Sequence, residues 1–386
     1  MLEIVIDATP VTPKPSGVGY YVANLIYALH ALQETENFQL AIAYQPGLIK
    51  WLKRDLSFPP ELSQYTNLSM LPLPVRLYNL LIATSYQPAL SYFEQYFCHP
   101  DIVHGTNYCV YPCKKSLKVM NIYDLSFIKY PEYTDAVVKA YNKQVRKNLQ
   151  WTDLILTISE SSKKDIVDYL DIEPSRVVVT PLASRYLSNQ VVDELEKSAN
   201  YDFSHPYLLF VSTLEPRKNI ITLIAAFNYL KQKYKIDHNL ILIGQKGWHY
   251  KPILKAIASS AWNNCIHHLD YLPDELVSLF YAKADVFVYP SYYEGFGLPV
   301  LEAMTLGAPV VTSNTSSLPE VTGDAAILVD PNDIISLAEA ILNVISDRQL
   351  RNQLIAKGRA RAKLYSWERT AKETLQAYKS LLNYKS

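Results

Sequence analysis

The sequence predicts an α/β protein in which parallel strands alternate with helices over two successive halves. Residues 286–289 are β-branched or aromatic, which fits a short strand buried on both faces of a parallel sheet. A glycine-bearing loop follows, then apolar residues at helical spacing over 298–306 and a second strand at 309–312. Strand, glycine loop and helix also succeed one another at the start of the chain, in residues 2–29. Both halves therefore show the pattern of a parallel α/β sheet.

Length and composition narrow the class of protein. A chain of 386 residues is long enough for about two to three domains, and 49% hydrophobic with 19% charged residues is typical of a globular protein. Zero formal net charge argues against nucleic acid as the main partner. The four cysteines show neither a secreted disulfide pattern nor, with nearby histidines, a familiar zinc spacing. Without a basic leader or long apolar run at residues 1–10, a cytoplasmic protein is expected.

The glycine loop at 294–297 lies where an anion can bind. Backbone N–H groups at the start of a helix lack intrahelical partners, and the helix dipole adds partial positive charge there. Glu294 on the loop and Glu302 in the following helix flank this position, and carboxylates accept hydrogen bonds from hydroxyls. The pair suits a ligand with phosphates and sugars, such as a sugar nucleotide. Taken alone, the spacing more often indicates two surface carboxylates near a helix start than a binding site.

A basic pair lies at the end of another predicted strand. The strand at 207–211 runs into a loop that carries Arg217 and Lys218, and a helix follows at 221–231. A doubly wound sheet binds its ligand at the carboxyl ends of its strands. Two adjacent cations there can neutralise a diphosphate as it leaves. In isolation, an Arg-Lys pair in a loop is more often an ordinary surface feature.

Three segments together resemble one protein family. The string EGFGLPVLEA, preceded by ADVFVYPS and followed by GAPVVTSNTSSLPEVTGDAA, resembles the donor-site segment of retaining glycosyltransferases of family 4, the glycosyl transferases group 1. TLEPRKN resembles the family's basic loop, and GVGYY its N-terminal glycine loop. The resemblance covers nearly the whole chain, most strongly over 207–331. It implies the α/β GT-B fold, in which two Rossmann-like doubly wound parallel-sheet domains face each other across a cleft.

The predicted domain organisation follows from this fold and from a polar, charged stretch near the middle of the chain. An N-terminal acceptor-side domain is expected at 1–185, a linker at 186–206 and a C-terminal nucleotide-sugar-binding domain at 207–364. The resemblance implies that a final helix, at 365–386, crosses back to the N-terminal domain. A helix that simply completes the second domain is the alternative.

The resemblance assigns roles to individual residues of the donor site. It implies that Arg217 and Lys218 bind the diphosphate, that Glu294 contacts hydroxyls of the donor sugar, and that Glu302 contacts the ribose. Arg217, Lys218 and Glu294 are thus the expected catalytic residues. The other expected donor-binding residues lie in the two glycine loops: Gly17, Gly19, Gly295, Phe296, Gly297 and Leu298.

On the acceptor side, the resemblance points to the ends of two further strands. His104 matches a family histidine, and Tyr123 with Asp124 stands where the family has a His-Asp pair. Tyr123 can donate a hydrogen bond and Asp124 can orient a hydroxyl. Tyr20 replaces the usual arginine after the first glycine loop, and Asp270 replaces a glycine near the expected nucleotide base.

The implied reaction is transfer of a hexose from a nucleotide diphosphate sugar to an acceptor hydroxyl of a glycan or lipid-linked saccharide, with retention and without a metal or other cofactor. Similar segments occur in bacterial mannosyltransferases that build surface polysaccharide, which favours GDP-mannose over a UDP-hexose as donor. The alternatives are a non-catalytic nucleotide-sugar or glycan-binding protein and a nucleotide-sugar epimerase. A nicotinamide-dependent dehydrogenase is less favoured, because no G-x-G-x-x-G follows the first strand.

Two stretches bear on membrane contact. Lys139, Lys143, Arg146 and Lys147 share one helical face, which usually indicates a solvated surface. The alternative is peripheral contact with an anionic membrane or a lipid-phosphate acceptor, which would place the protein at the inner face of the membrane. The stretch 78–97 is amphipathic but interrupted, so a buried or substrate-lining helix pair is expected there rather than a membrane segment.

Overall fold

The computed structural model describes residues 1–13, 16–55, 57–75, 77, 94–134, 136–187 and 201–385. Most of the helix pair predicted at 78–97 and most of the linker predicted at 186–206 lie outside these residues. Among the residues that are described, no helix is both long and apolar enough to cross a membrane.

The described strands form two parallel sheets, one in each half of the chain. The first sheet consists of β1 (Leu2–Asp7), β2 (Phe38–Tyr44), β3 (Leu68–Met70), β4 (Ile102–Gly105), β5 (Leu117–Asn121), β6 (Leu154–Thr157) and β7 (Val177–Val179). The second consists of β8 (Tyr207–Val211), β9 (Asn239–Ile243), β10 (Ile266–Leu269), β11 (Val286–Tyr289), β12 (Val310–Ser313) and β13 (Ala326–Val329). Their spatial orders are β3-β2-β1-β4-β5-β6-β7 and β10-β9-β8-β11-β12-β13. Both sheets are therefore doubly wound, with switch points between β1 and β4 and between β8 and β11.

Helices connect the strands of both sheets. Among the described residues of the first half they are α1 (Gly17–Leu32), α2 (Leu48–Leu52), α3 (Ser126–Lys129), α4 (Ala136–Asn148) and α5 (Glu160–Leu170). In the second half they are α6 (Ile220–Tyr234), α7 (Lys251–Ala258), α8 (Asp274–Lys283), α9 (Leu298–Leu306), α10 (Leu318–Thr322), α11 (Ile334–Ser346), α12 (Arg348–Ala362) and α13 (Trp367–Lys385). Every residue of the central strands β8 and β11 is buried, because helices cover both faces of the sheet.

The final helix, α13, packs against the N-terminal domain. The indole N–H of Trp367 donates to the Ser184 carbonyl oxygen at 3.2 Å, and the Thr370 hydroxyl donates to the Pro181 carbonyl oxygen at 2.6 Å. Further along the helix, Tyr378 is completely buried. The helix thus follows the second domain in sequence but contributes side chains to the core of the first.

His104 lies in this core, beneath α13. Its Nε2 is 2.6 Å from the Asn121 side-chain oxygen, and its Nδ1 is 2.6 Å from the Tyr378 hydroxyl. An amide oxygen only accepts, so Nε2 carries the proton and Nδ1 accepts from Tyr378. Burial lowers the pKa of His104 to about 4, which keeps the imidazole neutral. Both ring nitrogens are therefore engaged inside the protein.

Replacing Tyr378 by phenylalanine should destabilise the protein. The substitution leaves Nδ1 of His104 without a partner in the core, which is expected to lower the free energy of unfolding by about 1–3 kcal/mol. Urea denaturation measures this change. Tyr384→Phe is the matched control, because Tyr384 lies on the same helix with 90% of its surface exposed. Equal stability of the two variants would show that the buried hydrogen bond contributes nothing.

Candidate functional site

The candidate site is a cleft between the two domains, at the carboxyl ends of the central strands of both sheets. Loops from the first domain and loops after β8, β9, β10 and β11 line it together. The sequence-predicted residues among its lining are Gly17, Tyr123, Arg217, Lys218, Glu294, Gly295, Phe296, Gly297, Leu298 and Glu302. The cleft therefore brings together residues that are up to 285 positions apart in the sequence (from Gly17 to Glu302).

Arg217 and Lys218 lie in a single 3-10 turn, Pro216–Lys218, between β8 and α6. Pro216 begins the turn, and Asn219 ends it in a left-handed conformation with φ 57°. The Asn219 side-chain amide donates to the Pro331 carbonyl oxygen at 2.6 Å, which anchors the turn. Asparagine tolerates this backbone conformation better than most residues, so the local sequence holds both cations at the strand end.

The two cations form a buried ionic cluster with carboxylates. The Lys218 ammonium is 2.7 Å from one oxygen of Glu294 and 2.8 Å from the Tyr289 hydroxyl. The Arg217 guanidinium is 3.3 Å from the other oxygen of Glu294 and 2.6 Å from Glu215. The exposed fractions of the Arg217 and Lys218 side chains are only 14% and 8%. Ion pairs therefore connect the loop after β8 to the loop after β11.

The cluster fixes the charge of its members. Burial raises the pKa of Glu294, but Lys218 and Arg217 outweigh this effect and bring the pKa to about 2. Glu294 is therefore an anion at neutral pH. Burial, reinforced by the neighbouring Arg217, lowers the pKa of Lys218 below its ordinary value. A buried cation of this kind gains from an additional anion placed nearby.

The glycine loop ends at the start of α9, where Gly297 has φ +100°. This left-handed conformation favours glycine. At Gly295 the constraint is space, because a Cβ atom would lie 2.8 Å from the Tyr123 carbonyl oxygen and 3.0 Å from Cβ of Asp124. The Ser159 hydroxyl also donates to the Gly295 carbonyl oxygen at 2.6 Å. Gly295 thus lets the first domain approach the start of α9 closely.

Further contacts bridge the domains beside this loop. The Tyr293 hydroxyl donates to Asp165 at 2.8 Å. The Glu320 carboxylate accepts from the backbone N–H groups of Glu160 and Ser161, at 2.9 and 3.2 Å, at the start of α5. These contacts hold the first domain against the loop that precedes α9 and against α10.

The other end of the cleft contains a second ionic cluster. Glu302 is completely buried and accepts from the Arg185 guanidinium, with Nε at 2.6 Å and Nη2 at 3.2 Å. Arg185 Nη1 also donates to Asp274 at 3.0 Å, and the Tyr20 hydroxyl donates to the same carboxylate. Burial and Asp274 raise the pKa of Tyr20 to about 12, so this hydroxyl remains a donor. Tyr20, which stands where the family has an arginine, thus contacts the opposite domain.

Arg185 and Asp274 were not among the residues predicted from the sequence. Asp274 is the first residue of α8, where an acid is explained by the helix dipole alone. Arg185 lies just before a polar stretch of the sequence, and only folding brings the Arg185 side chain beside Glu302. No local pattern therefore distinguished either residue.

The first glycine loop differs from the second in its packing. Ser16 caps α1 and accepts from the Gly19 N–H at 3.4 Å, and Gly19 is buried. A Cβ atom at Gly17 would have no neighbouring atom within 4 Å. Packing alone does not explain the glycine at position 17, which lines the cleft.

Of the predicted acceptor-side residues, the structure brings two to the glycine loop and places one elsewhere. Tyr123 lines the cleft, and its hydroxyl donates to the Thr106 carbonyl oxygen. Asp124 is half-buried beside Gly295 and accepts from the Ser126 N–H at 3.0 Å. His104 is instead enclosed in the core under α13 with both ring nitrogens bonded. We therefore remove His104 from the acceptor side, because its side chain points into the core.

The basic face of α4 is only partly free. Lys143 is exposed and Lys147 half-buried, whereas the Arg146 guanidinium donates to the Tyr169 carbonyl oxygen at 3.2 Å. The side chain of Lys139 lies outside the described residues. Within the described ranges, no group of three or more histidine, cysteine, aspartate or glutamate residues is placed to hold a metal ion.

Two doubly wound domains with a ligand-sized cleft between their strand ends constitute the GT-B fold. Solved structures share this architecture. Sucrose-phosphate synthase from Thermosynechococcus elongatus superposes with a TM-score of 0.75 at 19% identity, covering 100% of both chains. Anabaena HepE in complex with UDP and glucose superposes with a TM-score of 0.69 at 17% identity, covering 98% of this chain and 100% of that one. The predicted GT-B fold is confirmed.

The family follows from sequence comparison. Residues 192–361 match the family described as glycosyl transferases group 1. O-antigen chain mannosyltransferase B of Escherichia coli is 33% identical over 389 residues, which cover 98% of this chain and 100% of the relative. The chain belongs to the glycosyl transferases group 1 family and is a glycosyltransferase. The predicted family and enzyme class are confirmed.

Proposed function

We propose that this glycosyltransferase moves a hexose from a nucleotide diphosphate sugar to a hydroxyl of a glycan or lipid-linked saccharide, with retention of anomeric configuration. The observation that carries the proposal is the buried cluster of Arg217, Lys218 and Glu294 beside the amino end of α9. Cations, a helix start and a sugar-binding carboxylate are the groups that such a donor requires.

Arg217 and Lys218 stabilise the departing diphosphate in this proposal. Negative charge accumulates on the leaving group as the glycosidic bond breaks, and prearranged cations stabilise it without reorganisation. The positive end of the α9 dipole adds to their effect. These groups perform the charge neutralisation, so we propose a reaction that needs no metal and no other cofactor.

Glu294 positions the donor sugar rather than attacking it. Its carboxylate is paired with two cations and has a pKa of about 2, which makes it a weak nucleophile. We therefore favour assistance by the leaving diphosphate on the same face of the sugar, which gives retention without a covalent enzyme intermediate. We assign to Asp124, which lies beside Gly295, the role of orienting the acceptor hydroxyl.

GDP-mannose is the favoured donor and a UDP-hexose the alternative. The E. coli relative named an O-antigen chain mannosyltransferase matches along its whole length and supports mannose. The Anabaena neighbour holds UDP and glucose, but its likeness of 17% identity supports the fold alone.

The proposed acceptor is a growing surface polysaccharide, by analogy with the name of the E. coli relative. We propose that the reaction takes place in the cytoplasm, with peripheral contact at the inner membrane face through the basic face of α4, on which Lys143 is exposed.

Thermal unfolding with a panel of sugar nucleotides tests this function. At a hundred times its dissociation constant, a ligand stabilises the folded state by about 2.7 kcal/mol. We expect GDP-mannose, or failing that one UDP-hexose, to raise the midpoint temperature of the wild type but not of Lys218→Ala. Lys255→Ala, an exposed lysine on α7, is the matched control and should respond as the wild type does. Binding without transfer to any glycan would instead indicate a non-catalytic sugar-nucleotide-binding protein, and absence of all binding would refute the proposal.

A further inference from the structure

Arg185 occupies Glu302, the carboxylate that the family resemblance assigns to the donor ribose. The residue lies on the chain segment that leaves the first domain, directly after Ser184, whose carbonyl oxygen accepts from Trp367 of α13. Its side chain is 22% exposed, whereas Glu302 is completely buried. Their contact is bidentate, with Nε–Oε1 at 2.6 Å and Nη2–Oε2 at 3.2 Å. Arg185 thus joins the boundary between the domains to the nucleoside end of the cleft.

Glu302 has little remaining capacity for a second ligand. A carboxylate offers about four acceptor positions. Arg185 fills two of them, one on each oxygen, and the Tyr281 hydroxyl lies 3.3 Å from Oε2. Recognition of both ribose hydroxyls needs two positions. With the Tyr281 contact kept, only one position remains, so full recognition of ribose by Glu302 and the bidentate contact with Arg185 exclude each other.

Arg185 has another partner to which it can remain attached. Its Nη1 is 3.0 Å from Asp274, whose side chain is 33% exposed. The guanidinium carbon lies 5.2 Å from the centre of the Tyr20 ring and 5.1 Å from that of Tyr186, within the range of cation–π attraction. These groups can hold the cation when it releases Glu302, and in the proposed exchange the ribose hydroxyls donate to the buried carboxylate in place of the guanidinium.

We propose that Arg185 competes with the donor ribose for Glu302, and that nucleotide binding moves its guanidinium from Glu302 onto Asp274. The proposal rests on the proposed function and on the ribose contact that the family resemblance implies for Glu302. Arg185 then sets the affinity for the nucleotide below what the site alone would provide. Because Tyr20 also binds Asp274, the first glycine loop and the inter-domain segment respond to nucleotide binding through the same carboxylate.

Calorimetric titration with GDP and UDP tests the competition. In Arg185→Gln, the nucleotide that binds the wild type should bind about tenfold more tightly, because a charge-assisted bidentate contact no longer has to be broken. With the 2′-deoxy form of the same nucleotide, the gain should fall below about threefold, since one competing hydroxyl is missing. Pyrophosphate, which lacks ribose, should bind both proteins equally.

A control variant and the possible outcomes distinguish failure of the competition at Glu302 from failure of the proposed function. Arg348→Gln, the same substitution at an exposed position outside the cleft, should leave all affinities unchanged. Weaker nucleotide binding by Arg185→Gln, or an equal gain for the ribo and deoxy forms, would overturn the competition while leaving the proposed function intact. Failure of the wild type to bind either nucleotide would overturn the proposed function and this proposal with it. If Arg185→Gln does not fold, Arg185→Lys retains the charge without the bidentate geometry, and a smaller gain in affinity is expected.

Discussion

Replacing Lys218 or Arg217 by alanine should lower turnover about a hundredfold or more. Both side chains lie at the carboxyl end of β8, are almost buried, and face Glu294 next to the start of α9. A cation in such a site acts with little solvent screening on charge that develops in the transition state. The effect should therefore appear mainly in turnover and not only in donor affinity.

Steady-state transfer kinetics with the donor found in the thermal panel measure this effect. Lys255→Ala provides the comparison with an exposed lysine of the same domain. Because each alanine substitution also leaves Glu294 with one cation fewer, the thermal midpoint of each variant must be determined alongside. Near-normal turnover in both folded variants would refute the role assigned to the two cations.

Glu294→Gln should reduce kcat/KM about a hundredfold while leaving nucleoside diphosphate binding as tight as in the wild type or tighter. Hydrogen bonds to a charged group contribute about 1.5–3 kcal/mol each, and the proposed role of Glu294 is to accept from hydroxyls of the donor sugar. The neutral glutamine no longer pairs with Lys218 and Arg217, so the two cations should attract the diphosphate at least as strongly as in the wild type.

Two measurements on the same variant separate this role from a structural one. Transfer kinetics report on the donor sugar, and calorimetric titration with the nucleoside diphosphate reports on the phosphate site. A parallel loss in both would show that Glu294 acts by arranging the cations rather than by holding the sugar.

The segment around α9 could be predicted in detail because its local chemistry is strong. The strand predicted at 286–289 is confirmed as β11, and the predicted helix is confirmed as α9, ending at a left-handed Gly307. Buried parallel strands show continuous apolar runs, and glycine marks helix ends, so both signals are local. The strand predicted at 309–312 is displaced by one residue, to Val310–Ser313.

Residues whose positions depend on how the domains meet could not be predicted. The contacts of Arg185 with Glu302 and of Tyr20 with Asp274 join residues 117 and 254 positions apart, and no local pattern encodes them. His104 shows the related difficulty. Its position at a strand end favoured the acceptor side, but its side chain is directed toward α13, a helix that the chain forms more than 260 residues later. Strand position alone does not determine which partner a side chain meets.

A crystal structure with bound nucleoside diphosphate would show directly where the diphosphate and the ribose lie in the cleft. We expect the diphosphate against the amino end of α9, with phosphate oxygens about 3 Å from the Lys218 ammonium and the Arg217 guanidinium, and the ribose at Glu302. A nucleotide bound elsewhere in the cleft, or Arg217 turned away from the phosphates with the domains closed, would contradict this expectation.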